Sequence, residues 1–109
     1  MSETLKKLAP FLLRARKIAT GREKLKKKAG ALAFLLVTSD LSENSLTQAL
    51  RDFRCPIYCI GTSETMKELF ALDNAKIVGV FKSTLAESIE PTLADCRITT
   101  QSASSGSPQ

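Results

Sequence analysis

The side chains of this sequence that are best suited to binding chemistry are basic, and most of them lie near its beginning. Residues 1–28 contain ten Lys or Arg and two Glu, a net charge of +8, whereas residues 29–109 carry a net charge of −3. Like charges concentrated in one quarter of a chain repel each other, and a polyanionic partner relieves that repulsion. The charge distribution therefore indicates nucleic acid, and it points to the densest stretch, the basic run Arg22–Lys28.

The basic run is predicted to start a short helix, where free backbone N–H groups and the helix dipole add to the positive charge. At about 100° per residue, Lys24, Lys27 and Lys28 share one broad face of that helix. The run could also be a solvated face that binds nothing. Glu23 follows Thr20 at the spacing of a capping box, so a capping role competes with RNA contact for this carboxylate.

Three further cations, Arg14, Arg16 and Lys17, precede the basic run. They could extend a phosphate-binding surface, or they could simply keep the first helix soluble. The polar residues Ser39 and Asn44 follow a predicted buried strand, where open α/β sheets place ligand sites, and both are also ordinary helix-capping types. Leu72 and Ala75 stand in a later loop and could contact a base or join the core.

No combination of residues matches common catalytic or metal-binding chemistry. The sequence has no His to serve as a base for Ser or Cys, and it has no Gly-rich phosphate loop. Cys55, Cys59 and Cys96 would need further ligands to hold a metal, so a buried, reduced state is expected for the first two. We expect a binding protein that is not an enzyme and uses no metal or cofactor; Lys or carboxylate catalysis stays open, although no motif points to it.

The odd number of cysteines and the absence of a signal-peptide pattern predict a cytoplasmic location. The longest apolar run, Ala29–Val37, is far shorter than the roughly 20 residues that cross a bilayer, so no membrane segment is expected. A single tyrosine, Tyr58, and five Phe at core-like positions offer few stacking platforms, which favours folded RNA over single strands.

The elements that must position these residues follow from hydrophobic periodicity and capping signals. They are a helix over residues 3–16 interrupted near Pro10, an extended piece over 17–20, strands over 32–38, 57–60 and 77–81, and helices over 22–28, 43–53, 63–70 and 84–90. Strands that alternate with helices predict an α/β fold, a three-layer αβα sandwich. Residues 1–97 form the single predicted domain, and 98–109 form a polar tail that is expected to be disordered.

Two motifs carry a family resemblance: Arg-Lys-Ile-Ala-Thr-Gly before the basic run, and Cys-Pro-Ile-Tyr-Cys-Ile-Gly-Thr after the predicted helix over 43–53. With Ala-Phe-Leu-Leu-Val-Thr-Ser-Asp-Leu-Ser-Glu-Asn between them, the chain resembles the L-seven-Ae ribosomal protein superfamily, most of all its small bacterial YlxQ-type members. The resemblance implies a four-stranded mixed sheet and binding of structured RNA, ribosomal or kink-turn-like. The contacts would come from three neighbouring elements: the helix start at 21–28, the loop 39–44 and the loop 72–77. The implied RNA-binding residues are Gly21, Arg22, Glu23, Lys24, Lys27, Lys28, Ser39, Asn44, Leu72 and Ala75.

Kink-turn binders of this superfamily open their second helix with an Asn-Glu pair, followed three residues later by Lys, and read tandem sheared G·A pairs. Aligned from Gly21, Glu23 and Lys24 stand in place of the pair and Lys27 keeps the Lys; aligned back from Gly30, the pair is also absent. We therefore expect structured RNA to bind with little preference for a standard kink-turn. The alternative is a protein-interaction module that uses its basic edge on an acidic protein partner.

Overall fold

The computed structural model describes residues 3–72 and 75–98. Within them the chain alternates helices and strands, beginning and ending as follows: α1 Glu3–Arg14, β1 Ile18–Thr20, α2 Arg22–Lys27, β2 Leu32–Val37, α3 Glu43–Asp52, β3 Ile57–Cys59, α4 Ser63–Phe70, β4 Ile77–Phe81, α5 Thr84–Ile89 and β5 Arg97–Ile98. Short 3₁₀ helices cover Ala29–Ala31 and Glu90–Cys96.

The sheet has the strand order β1-β4-β2-β3-β5, in which β2 and β3 are parallel and every other neighbouring pair is antiparallel. Five strands correct the expected four. The added strand, β5, pairs Ile98 with Ile57 and Arg97 with Tyr58. A two-residue strand has no periodicity for a sequence to display, so only its pairing reveals it. The expected start of the tail at residue 98 falls within this strand, and residues 99–109 lie outside the described residues.

The central strand β2 is buried on both faces, and this burial creates the predicted three layers. Phe34 and Leu36 pack with α1, α4 and α5, whereas Leu35 and Val37 pack with α2 and α3 on the opposite face. Successive strand residues point to opposite faces of a sheet, so a continuous apolar run needs helices on both sides. The αβα sandwich predicted from the sequence is confirmed.

Helix α1 is continuous through Pro10, where the sequence predicts an interruption, and Pro10 lies exposed on its outer side. The helix ends in a Schellman motif, in which the Lys17 N–H donates to the Leu12 carbonyl at 2.9 Å and the Arg16 N–H to the Leu13 carbonyl at 3.1 Å. Arg16 has φ 56°, the left-handed conformation that glycine usually supplies at this position. The turn leads directly into β1.

Helix α2 packs closely on the sheet because β4 has a glycine beneath it. A Cβ at Gly79 would lie 2.5 Å from Leu25 Cδ2 and 2.8 Å from Leu32 Cδ2, and both leucines are buried. Any side chain at Gly79 would force the two leucines to shift, and Leu25 belongs to α2. The distance between the basic helix and the sheet is therefore set by a residue more than fifty positions later in the chain.

Candidate nucleic-acid interface

Helix α2 begins at a glycine whose backbone turns the chain out of β1. Gly21 has φ 89° and ψ 121°, and its carbonyl accepts the Leu25 N–H at 2.9 Å. The expected capping box between Thr20 and Glu23 is wrong, because Gly21 is the N-cap and no side chain caps the helix. Thr20 belongs to β1, where it pairs with Val78. Glu23 therefore stays exposed and has no capping role.

One side of α2 is fastened to α3 by its charged residues. The Arg22 guanidinium donates to Gln48 Oε1, and Lys26 Nζ lies 3.4 Å from Asp52 Oδ2. Arg22 and Lys26 are one helical turn apart, so they present the same side of α2. Two cations of the basic run are thereby engaged in contacts within the protein.

The remaining lysines of the run face away from α3. Lys24 and Lys28 are one turn apart on the side opposite the Arg22–Lys26 pair, and Lys27 points outward between these two sides. All three are exposed, and within residues 3–72 and 75–98 no salt bridge engages them. Their charges are therefore available to a ligand.

A cleft of about 600 Å³ lies beside the start of α2, and it is called the α2 cleft here. Its lining residues are Thr20, Gly21, Arg22, Glu23, Leu41, Leu72, Ala75, Lys76 and Ile77. Apart from Thr20 of β1, these residues come from the three elements to which the family resemblance assigns RNA contact: the helix start, the loop after β2 and the loop before β4. The last loop also contains Asp73 and Asn74, which lie outside the described residues.

The predicted site residues divide into those that line the α2 cleft and those that do not. Gly21, Arg22, Glu23, Leu72 and Ala75 line it together. The other five predicted residues are exposed but stand outside its lining, namely Lys24, Lys27, Lys28, Ser39 and Asn44. In the loop after β2, the cleft residue is instead the half-buried Leu41, an apolar position that the sequence reading did not single out.

The loop after β2 is held to the start of α4 by a carboxylate. Asp40 accepts from the Ser63 N–H at 3.2 Å and from the Ser63 hydroxyl at 2.8 Å, so it supplies the cap that Thr62 does not. The Thr38 hydroxyl and then the Ser63 hydroxyl lower the pKa of Asp40, and Lys76 adds to the effect. The buried Thr38 hydroxyl has no well-aligned hydrogen-bond partner among the described residues, so it acts on Asp40 as a nearby dipole.

A second hollow, of about 460 Å³, follows the outer edge of β1 and is called the β1 groove here. Its lining residues are Leu13, Arg16, Ile18, Ala19, Thr20, Lys24, Lys28, Leu72 and Phe81. It adjoins the α2 cleft, because Thr20 and Leu72 line both hollows. Arg16 thus stands with Lys24 and Lys28, whereas Arg14 lies over the Phe11 ring at 5.9 Å and lines neither hollow.

The three cysteines are free and half-buried, whereas a buried, reduced state is expected for Cys55 and Cys59. Burial, followed by the nearby Glu90 charge, raises the pKa of the Cys55 thiol and disfavours its reactive thiolate form. In the part of the chain that the structure describes, no three His, Cys, Asp or Glu residues come together as a metal-binding group. None of the helices described is long and apolar enough to span a membrane.

No protein-family model and no curated protein matches this sequence. Solved structures do share its fold. A protein of unknown function from Bacillus halodurans is 17% identical, with a TM-score of 0.75 over 86% of this chain and 99% of that chain. The Giardia lamblia 15.5kD RNA binding protein is 14% identical, with a TM-score of 0.63 over 84% of this chain and 86% of that chain. At these identities the likeness establishes the fold, which this chain shares with an RNA-binding protein.

Proposed function

We propose that this chain binds structured RNA through the α2 cleft and the lysines beside it, as a member of the L-seven-Ae superfamily. The observation that carries the proposal is the meeting of three elements, far apart in the sequence, in one cleft around Gly21. The family resemblance assigns RNA contact to these same elements. The fold shared with the Giardia lamblia RNA binding protein supports the assignment.

The composition of the α2 cleft suits an unpaired base beside a helical stem. Leu41, Leu72 and Ala75 supply an apolar wall, and Arg22 and Glu23 supply a donor and an acceptor. A carboxylate can accept from a base amino group, and an apolar wall can cover the face of a base. Lys27, which is exposed on the outer side of α2, would then neutralise a phosphate of the stem.

The RNA class that follows is a helix with an irregularity, such as an internal loop in ribosomal RNA or a kink-turn-like bend. Because Glu23 and Lys24 replace the Asn-Glu pair of kink-turn binders, we propose only a modest preference for a standard kink-turn. Binding without catalysis, a cytoplasmic location and association with ribosomes remain predictions.

The proposal is tested by titrating a fluorescently labelled hairpin RNA with an internal loop at three salt concentrations. If Lys27 neutralises a phosphate, Lys27→Ala should weaken binding and flatten the slope of log affinity against log salt by roughly 0.7 to 0.9. Lys82→Ala is the matched control, since Lys82 is exposed and follows the end of β4 that is farther from the cleft. An unchanged slope and affinity for Lys27→Ala would remove α2 from the RNA-binding surface.

A second arm compares a standard kink-turn RNA with a duplex of equal length. We expect the kink-turn to bind no more than modestly better, and a strong preference would show that residues other than an Asn-Glu pair read the G·A pairs. The competing function, binding of an acidic protein, predicts weak RNA affinity and a salt slope that the lysine substitutions leave unchanged.

A further inference from the structure

We propose that the β1 groove binds an unpaired strand of the same RNA. This strand extends from the structured element that is held at the α2 cleft. The inference rests on the proposed function and extends it, because it specifies an RNA with a single-stranded segment next to its fold. The sequence alone favours folded RNA over single strands, and the β1 groove adds a second surface that periodicity does not reveal.

The charge of the β1 groove fits a phosphate backbone. Among the described residues, Arg16, Lys24 and Lys28 line it and no acidic residue does, whereas the α2 cleft mixes Arg22 and Lys76 with Glu23. Three cations that line one groove attract phosphates and give no preference among bases. Half-buried apolar side chains between these cations, among them Leu13 and Phe81, would contact the faces of the bases.

The groove is placed where a strand could leave the cleft. Thr20 and Leu72 line both hollows, so an RNA chain can pass from one to the other without crossing a gap. Beyond Thr20 the groove follows β1, an edge strand that pairs only with β4 among the described residues. Its lining comes from both faces of the sheet, with Leu13 from α1 and Lys24 from α2, so the groove wraps around that edge.

The backbone at Arg16 gives independent support. This residue occupies the left-handed position of the Schellman motif, which glycine adopts without strain. An arginine there is conformationally unfavourable, yet it extends a cation into the groove. Arg16→Gly should therefore stabilise the fold while it weakens RNA binding. If Arg16 served only the fold, the substitution would not combine higher stability with weaker RNA binding.

The experiment uses two labelled probes: a blunt-ended hairpin with an internal loop, and the same hairpin with ten uridines added at its 3′ end. For the wild-type chain, the extension should strengthen binding by about tenfold, the contribution of a base that contacts an apolar or aromatic surface. It should also steepen the salt slope by roughly 2, since each of three cations contributes about 0.7 with a single strand.

Arg16→Gly should remove most of the gain from the extension, leave the affinity for the blunt hairpin within about twofold, and raise Tm by roughly 4 °C. Lys82→Ala, whose side chain lines neither hollow, should keep the full gain. A hairpin that binds equally well with and without its extension would overturn the inference and leave the proposed function standing. A gain that survives Arg16→Gly places the strand elsewhere, and failure of both probes to bind overturns both proposals.

Discussion

The α2 cleft and the β1 groove share Thr20 and Leu72 and lie on either side of these residues, yet they differ in charge. In the cleft, Arg22 is engaged by Gln48 and stands next to Glu23, and Lys76 lies close enough to Asp40 to lower its pKa. In the groove, the described part of the lining holds three cations and no acidic residue. The cleft therefore suits the mixed donors and acceptors of base edges, and the groove suits phosphates.

The difference shows that the +8 charge of residues 1–28 is not one uniform surface. Arg22 and Lys26 hold the six-residue helix α2 to α3, whereas Lys24 of the helix and Lys28 at its C-cap face the groove. A helix turns these two pairs to different sides although their residues alternate in the sequence. Substitutions on the two sides should therefore have different consequences.

The largest effect is expected from charge reversal on the groove side. The double substitution Lys24→Glu with Lys28→Glu should weaken binding of the extended hairpin by about a hundredfold or more, because two attractive contacts become repulsive. Unfolding free energy should change by about 0.5 kcal/mol or less, since both side chains are exposed. Fluorescence anisotropy and urea denaturation measure the two quantities.

The matched control for that variant reverses two other exposed lysines, Lys26→Glu with Lys82→Glu, and so keeps the net charge equal. It should bind RNA much better than the groove variant. Its stability should fall by up to about 1 kcal/mol, because Asp52 loses its partner and gains a like charge. Equal losses of affinity in the two double variants would mean that net charge alone governs binding and that the two sides of α2 do not differ.

The next effect concerns the helix that supplies walls to both hollows. Gly79→Ala should destabilise the fold by about 1–3 kcal/mol, because the new Cβ meets the buried side chains of Leu25 and Leu32. It should also weaken binding of both hairpin probes, since α2 moves outward. Gly30→Ala is the control: its Cβ would meet nothing within 4 Å, so urea denaturation should give a change of about 0.5 kcal/mol or less. A Gly79→Ala chain as stable as Gly30→Ala would show that Leu25 and Leu32 make room for the Cβ and that Gly79 does not set the position of α2.

The smallest effect is a pH dependence at the loop that borders the cleft. Folding lowers the pKa of Asp40 below its ordinary value of 3.8, so the stabilisation is complete above that value and is lost as the pH falls through the lowered pKa. Asp40→Asn should be less stable than the wild type at pH 7, and this difference should shrink below pH 4. Thermal melts from about pH 7 to pH 2 measure it, and a constant difference across that range would contradict the assigned role of the carboxylate.

Sequence periodicity predicted most of the fold because the signals involved are local. The apolar run of β2 requires cover on both faces, and Ser42 and Ser83 cap the helices after them, accepting from the N–H groups of Ser45 and Ala86 at 3.2 Å. The sequence did not predict the 3₁₀ helix Glu90–Cys96 or strand β5. At Pro91, near the start of this 3₁₀ helix, it predicts only the end of the preceding helix. Both are held by tertiary contacts, such as the buried Leu93 and the pairing with β3, and not by a repeating pattern.

For the candidate site, the sequence by itself determined that the positive charge is concentrated in residues 1–28. The resemblance of its motifs to a family indicated which three segments to consider for RNA contact. Only the tertiary structure decided which cations are engaged and which are available, because that depends on Gln48 and Asp52 of another helix. It also decided how close α2 lies to the sheet, through Gly79, and that Arg16 stands beside Lys24. These relations join residues distant in the chain, and local spacing carries no information about which distant residues meet.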